Sequence, residues 1–252
     1  MRGTRHRRIH VVRPLAVIWL TVAPVAAQTP PAAAPVERAD DLTWKVTGSL
    51  YHIPGDLNLD LNARHQMGSV GGWLGLFHDP HVDTVARVGL EYDGKRGPVL
   101  FVPTLQLASN GLKAGQVYLE VGGQSYGILG LSRTNLRPFY NLSFDPNESL
   151  QLGMGRHLSR YDKLYAFTIF DVRLHTGQQD THVLWRRRLG PTVGLTLDGL
   201  YKSGRIDSGR SVRALGLGAY LDRPRWFAKA YYDPYANFSS DTMVRFGIGG
   251  KF

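Results

Sequence analysis

From Leu42 onward, apolar and polar side chains take turns along the chain. Leu42, Trp44, Val46, Gly48 and Leu50 alternate with Thr43, Lys45, Thr47 and Ser49. Leu57, Leu59, Leu61 and Ala63 alternate with Asn58, Asp60, Asn62 and Arg64, and the same rhythm returns at Val82–Asp93 and Val193–Lys202. A period of two sends successive side chains to opposite faces, so each segment is predicted to be a strand with one apolar and one polar face. No long stretch carries helical periodicity. Turn signals such as Ile53-Pro54-Gly55-Asp56, Asp93-Gly94-Lys95-Arg96-Gly97, Ser109-Asn110-Gly111 and Leu189-Gly190-Pro191 punctuate the pattern. Strands are predicted near 42–52, 56–65, 69–78, 82–93, 98–109, 113–123, 125–133, 148–157, 163–174, 181–189, 192–203, 211–222, 225–233 and 242–252. That makes fourteen. Segments 69–78 and 125–133 alternate poorly, which leaves twelve as the alternative.

A chain of many antiparallel strands forms a soluble sandwich or a transmembrane barrel. Sandwich strands usually hold five or six residues. Most of these reach the 9–12 that a tilted strand needs to cross a bilayer. Trp44, Tyr51, Trp73, Phe77, Tyr92, Trp185, Tyr201, Tyr220 and Trp226 gather near strand ends, where the aromatic girdles of barrels lie. The last residues, Met243 to Phe252, place apolar side chains at 244, 246, 248 and 252 and close on an aromatic. This segment resembles the terminal strand of Gram-negative outer-membrane barrel proteins, with Gly250 standing where that family often has an aromatic. The resemblance implies an up-and-down antiparallel barrel of about fourteen strands with both termini in the periplasm. It also implies that Phe246, Ile248 and Phe252 are read by the barrel-assembly machinery. Outer-membrane lipid and lipopolysaccharide are then the expected surroundings, and a monomer the expected state.

The N-terminus fits export. Arg2, Arg5, Arg7, Arg8 and Arg13 precede a short apolar run from Leu15 to Ala23, and Val25-Ala26-Ala27 ends it with small residues. Basic start, apolar middle and small residues before the cut are the parts of a secretory signal peptide. The apolar run is shorter than the ~20 residues of a spanning helix. Residues 1–27 are read as signal peptide, 28–41 as a flexible Pro/Ala-rich leader and 42–252 as barrel. The full chain carries 30 Lys+Arg against 20 Asp+Glu. Five of those arginines leave with the signal, so +10 becomes +5. The absence of cysteine excludes disulfide scaffolds, thiolate metal sites and thiol nucleophiles.

With the polar faces turned inward, the lumen is expected to hold Lys45, Arg64, Arg87, Lys113, Arg186, Arg188, Lys202, Arg213, Lys229, Arg245 and Lys251. Asp60, Asp83, Glu91, Glu120, Asp171 and Asp198 are the expected inward acids. A charge facing lipid near the midplane costs several kcal/mol, which favours this assignment. Such groups either pair across the lumen and plug it, or line a narrow pore whose basic excess favours small anionic solutes. His182, Arg186 and Arg188 share one face and form the densest basic stripe, the first choice for a selectivity element. The loop 133–149, with Arg133, Arg137, Tyr140, Asp145 and Glu148, is expected either to constrict the pore or to lie on the surface, where its arginines could meet lipopolysaccharide phosphates.

Particular residues raise other chemistries. Leu107-Ala108-Ser109-Asn110-Gly111 resembles the Ser-Asn-Gly portion of the outer-membrane phospholipase signature, which implies a lipid hydrolase or lipid A-modifying enzyme around Ser109. That family places histidine two residues before the serine, where this chain has Leu107. Ser-Asn-Gly also makes a plain turn. A closed structural or adhesin barrel is a further alternative. His78-Asp79-Pro80-His81 with Asp83 has metal-capable side chains inside a tight turn, and the turn is the favoured reading. No cofactor is expected. Nucleic acid is disfavoured, because bases alternate with acids along the strands.

Overall fold

The computed structural model describes residues 43–81, 83–135, 149–172 and 175–252. The predicted signal peptide (1–27) and leader (28–41) lie outside the described residues. The strands are β1 Trp44–Ile53, β2 Asp56–Met67, β3 Val70–Asp79, β4 Asp83–Tyr92 with its continuation Gly94–Arg96, β5 Val99–Ala108 and β6 Lys113–Gly122. They continue as β7 Ser125–Thr134, β8 Ser149–His157, β9 Asp162–Asp171, β10 Gln179–Gly190 and β11 Val193–Arg205. The last three are β12 Ser211–Asp222, β13 Trp226–Asp233 and β14 Met243–Lys251. Every strand pairs antiparallel with its chain neighbours, and β1 pairs with β14 from Lys45↔Lys251 to His52↔Val244. That last ladder closes the sheet into a barrel of fourteen strands, so no strand edge is left to demand a partner. The two parts of β4 meet β5 in one register, Arg87↔Ala108 and Gly94↔Phe101, and belong to a single strand. The fourteen predicted segments are all present.

Connections differ sharply between the two ends. At one end they hold two to four residues: 68–69, 97–98, 123–124, 158–161, 191–192 and 223–225. The other end carries 135–148, 172–178 and 234–242 among its connections. Long loops at one end and tight turns at the other are the asymmetry of outer-membrane barrels.

Burial separates the two faces of each strand. Val46, Leu50, Leu59, Leu61, Leu74, Leu76, Leu215, Leu217 and Ile248 are exposed on the outside, as a lipid-facing band requires. Trp44, Tyr92, Phe101, Tyr161, Trp226 and Phe252 ring the short-turn end of that outer face. Tyr51, Trp73, Phe77 and Tyr220 do not join a girdle. Strand parity turns them inward, where Tyr51 and Phe77 are fully buried.

The inner face is polar over part of the wall and apolar over the rest. Tyr126, Ile128, Tyr165, Phe167, Ile169 and Leu184 form one buried cluster on β7, β9 and β10, with Tyr118 of β6 against it. This accounts for the weak alternation of 125–133, whose inward Tyr126 and Ile128 are as apolar as its outward face. Segment 69–78 blurs for the same reason, with Trp73 and Phe77 inside and Leu74 and Leu76 outside. Several inward rings need room on the neighbouring strand. Trp73, Tyr126, Tyr231 and Phe227 stand directly across from Gly89, Gly155, Gly218 and Gly249, and a Cβ at any of these glycines would collide with the ring.

Candidate pore lining and mouths

Strand alternation delivers Lys45, Arg64, Arg87, His182, Arg186, Arg188, Lys202 and Arg245 to the inner face together with Lys163, Lys229 and Lys251. Two expected members are absent from it. Lys113 and Arg213 are exposed on the outside, because the inward parity of β6 is set by Gln116, Tyr118 and Glu120, and that of β12 by Val212, Gly218 and Asp222. Both sit in the first residues of their strands at the long-loop end, where a charge reaches the headgroup region at little cost.

Most inward cations have an acid or a ring beside them. Midway along the barrel, Arg87 donates to Asp60, and Tyr51 Oη donates to the other oxygen of Asp60 at 3.1 Å. Arg245 lies over the rings of Tyr231 (4.4 Å) and Tyr51 (5.7 Å). His182 Nδ1 is 3.0 Å from the Asp198 carboxylate and its ring stacks on Phe167. Towards the short-turn end, Arg64 pairs with Glu91 and covers Trp73, while Lys251 donates to Asp222 at 2.6 Å. The lumen is therefore laced by ion pairs and cation–π contacts rather than lined by bare cations.

The mouth at the long-loop end is crossed by residues 234–242. Ala236 and Phe238 are buried, Ala236 against Tyr51, Phe77 and Met243, and Phe238 against Ile206 and Val212. Lys202 anchors this segment. Its ammonium has no exposed surface, donates to Asp233 at 2.9 Å and to the Tyr235 carbonyl at 3.1 Å, and faces the Phe238 ring at 5.1 Å. Tyr235, Asn237 and Phe238 all take left-handed backbone angles, which a bulky residue adopts only when its surroundings hold it there. Asp207 N–H donates to the Phe238 carbonyl at 3.0 Å and supplies part of that hold. The loop 133–149 is the one expected either to constrict the pore or to lie on the surface. Of its residues Arg133 is exposed on the outer face, while Arg137, Tyr140, Asp145 and Glu148 lie outside the described residues.

The opposite mouth holds a basic recess of about 590 Å3, including its opening. Lys163, Arg186 and Arg188 contribute from the inner face, Arg160, Tyr161 and Arg187 from the rim, and Thr196, Tyr220 and Asp222 from the next strands. The predicted basic stripe thus divides. His182 is held at mid-barrel by Asp198, whereas Arg186 and Arg188 open into the recess. Lys163 was missed in the sequence because its strand turns Tyr165, Phe167 and Ile169 inward, so the apolar face of β9 looked like the lipid face.

No protein-family model matches the sequence, and no curated protein matches it. Among solved structures, the outer membrane protein Omp33 of Acinetobacter baumannii superimposes with a TM-score of 0.54 at 8% identity, covering 84% of this chain and 98% of that one. The KdgM porin (TM-score 0.46, 11% identity, 82% and 99% covered) and the NanC porin (0.44, 11%, 83% and 100%) are further similar structures. The fold is that of an outer-membrane barrel.

Within that porin-like barrel, the enzymatic alternative finds no support. Ser109 belongs to the turn between β5 and β6. Its hydroxyl accepts from Ala86 N–H at 3.0 Å, its own N–H donates to the Ala86 carbonyl, and among the described residues no histidine bonds to it. Asn110 Oδ1 accepts from Leu112 N–H and Gly111 takes the left-handed backbone angle, as a tight turn needs. The metal-capable cluster is likewise dispersed: His78 contacts Thr84, His81 contacts Asp56, and Asp79 accepts from the His81 backbone.

Proposed function

We propose that the barrel is a narrow passive channel for small anionic solutes in the outer membrane, reached through a cleaved signal peptide, with the short turns in the periplasm. One observation carries the reading. Ser49 Oγ, Asn58 Oδ1, Arg87 Nε, Gln106 Nε2, Gln151 Oε1, Asp180 Oδ1 and Arg245 Nε are buried on the inner face without a protein hydrogen-bond partner. A dry plug would leave each of these groups paying its full desolvation cost, whereas a hydrated lumen satisfies them. The basic side chains gathered at the short-turn mouth, among them Arg160, Lys163 and Arg187, support a preference for anions.

The test is direct. The refolded protein is expected to show heat-modifiable gel migration and, in planar bilayers, discrete conductance steps whose reversal potential in a KCl gradient lies on the chloride side. A folded barrel that stays electrically silent would overturn the channel, and a potassium-selective one would overturn the anionic preference.

A further inference from the structure

Outward arginines stand at both ends of the barrel, and their surroundings differ. At the short-turn end Arg187 faces Asp162 across the β9–β10 register and lies 3.7 Å from its carboxylate. At the long-loop end Arg205 closes β11 and Arg213 stands near the start of β12, and both are exposed. Across the β11–β12 register these two meet serines, as Arg205↔Ser211 and Ser203↔Arg213. The acids of the two strands, Asp198 and Asp222, are buried on the inner face, where His182 and Lys251 hold them. The connecting turn adds Arg210, which lies 5.7 Å over the Tyr235 ring, and Asp207. Among the described residues neither Arg205 nor Arg213 has an ion pair.

The two arginines are also arranged. They occupy a diagonal of the antiparallel pair, a separation of about 7–8 Å between such neighbours. Ser203 stands directly across from Arg213 and two residues from Arg205, and its hydroxyl accepts from Gln179 Nε2 at 2.8 Å. One step further from the rim, Tyr201 and Leu215 face each other on the outside, and Leu217 follows. The outer face of the hairpin thus runs from guanidinium, through hydroxyl and amide, to ring and aliphatic chain. That order matches an amphiphile whose phosphate sits above its acyl chains, and guanidinium groups bind phosphate oxygens in pairs. The polar row between the arginines and Tyr201 suits a phosphorylated sugar better than a glycerophospholipid, whose phosphate meets its acyl chains through glycerol alone.

We infer that the outer face of the β11–β12 hairpin is a docking site for lipopolysaccharide. Arg205 and Arg213 hold a phosphate of its lipid A, and Tyr201 and Leu215 lie against its acyl chains. The inference rests on the orientation in the reading above, with short turns in the periplasm, because that orientation sets the hairpin in the outer leaflet. It does not depend on whether the lumen conducts.

Titration of the refolded protein in detergent with fluorescently labelled lipopolysaccharide tests the site. Saturable binding is expected, and Arg205→Gln with Arg213→Gln is expected to weaken it about tenfold while heat-modifiable migration stays that of the parent. Enzymatic removal of the lipid A phosphates is expected to abolish the difference between parent and variant. Phosphatidylglycerol is expected to compete about tenfold less well than unlabelled lipopolysaccharide. Arg187→Gln, which removes an outward arginine from the short-turn end, is expected to change nothing. Binding indifferent to the double variant, or weakened equally by Arg187→Gln, would overturn the site. Equal competition by phosphatidylglycerol would overturn the choice of lipid. Loss of binding in Arg187→Gln alone would overturn both the site and the orientation. Absence of saturable binding in a conducting barrel would overturn the site and leave the channel intact. Binding with the expected pattern in an electrically silent barrel would uphold the site and overturn the channel.

Discussion

At the scale of single residues, Lys202 is the most consequential side chain of the barrel. An ammonium with no exposed surface survives only where its charge and protons are matched, here by Asp233 and the Tyr235 carbonyl. Asp233→Asn would strand that charge. It is expected to lower stability by about 3–5 kcal/mol in urea unfolding followed by gel migration. Lys202→Met combined with Asp233→Leu is expected to recover much of the loss, because a buried apolar pair escapes the desolvation cost that the ions bear. A double variant as unstable as the single one would show that packing, not charge, anchors the segment. The sequence marked Lys202 as inward, but its partner was invisible: Asp233 lies 31 residues away, and only the pairing of β11 through β13 brings the two together.

At the scale of elements, two devices shape the lumen. One is the pairing of inward rings with cross-strand glycines. Gly155→Val would drive a side chain into the Tyr126 ring, at an expected cost of about 1–3 kcal/mol for overpacking. Gly123→Ala, in a turn with open space around it, is the matching control and is expected to change little. Equal losses from both would refute the packing account. The other device is the 234–242 segment. Phe238→Ala removes the buried ring that holds a left-handed backbone in place, so the segment is expected to loosen and single-channel conductance to rise above that of the parent protein. Unchanged conductance would mean that the segment does not narrow the path. The sequence places this stretch outside the strands but does not mark it as a plug of the mouth. Length and composition are local, whereas inward folding depends on Ile206, Val212, Tyr51 and Phe77 from four other elements.

At the scale of the whole molecule, closure makes each strand's two faces answer to two solvents. Leu217, exposed near the middle of β12, is expected to meet hydrocarbon, and Leu217→Arg to cost about 2–4 kcal/mol in folding into lipid bilayers. The same charge added at the inner position Gly218 would test packing against Tyr231 rather than lipid. A neutral outcome at Leu217 would contradict the lipid-facing band. Phe246, Ile248 and Phe252 share that outer face at the closing strand, with more than half of each side chain exposed. If they address the chain to assembly machinery, Phe252→Ser is expected to reduce the folded fraction in cells while refolding of the purified chain is little changed. Equal defects in both settings would point to stability alone.

The sequence by itself determined the element type, the number of strands and, for most of them, which face is which. Those properties are local: a period of two and a turn signal are carried by neighbouring residues, and an amphipathic strand must separate two environments wherever it sits. Tertiary structure decided what the alternation could not express. Where the lumen is itself apolar, as around Tyr126, Phe167 and Leu184, both faces of a strand look alike. There only the closed sheet reveals which side is inside. It also decided which charges cancel. Asp60 pairs with Arg87 and Asp198 with His182 inside the barrel, Asp233 pairs with Lys202 at the long-loop mouth, and basic side chains gather at the short-turn mouth around Arg186 and Arg188. Charge in a sequence is a sum, but the field a solute meets depends on which carboxylate stands within a few ångströms of which cation, and long-range strand pairing sets that distance.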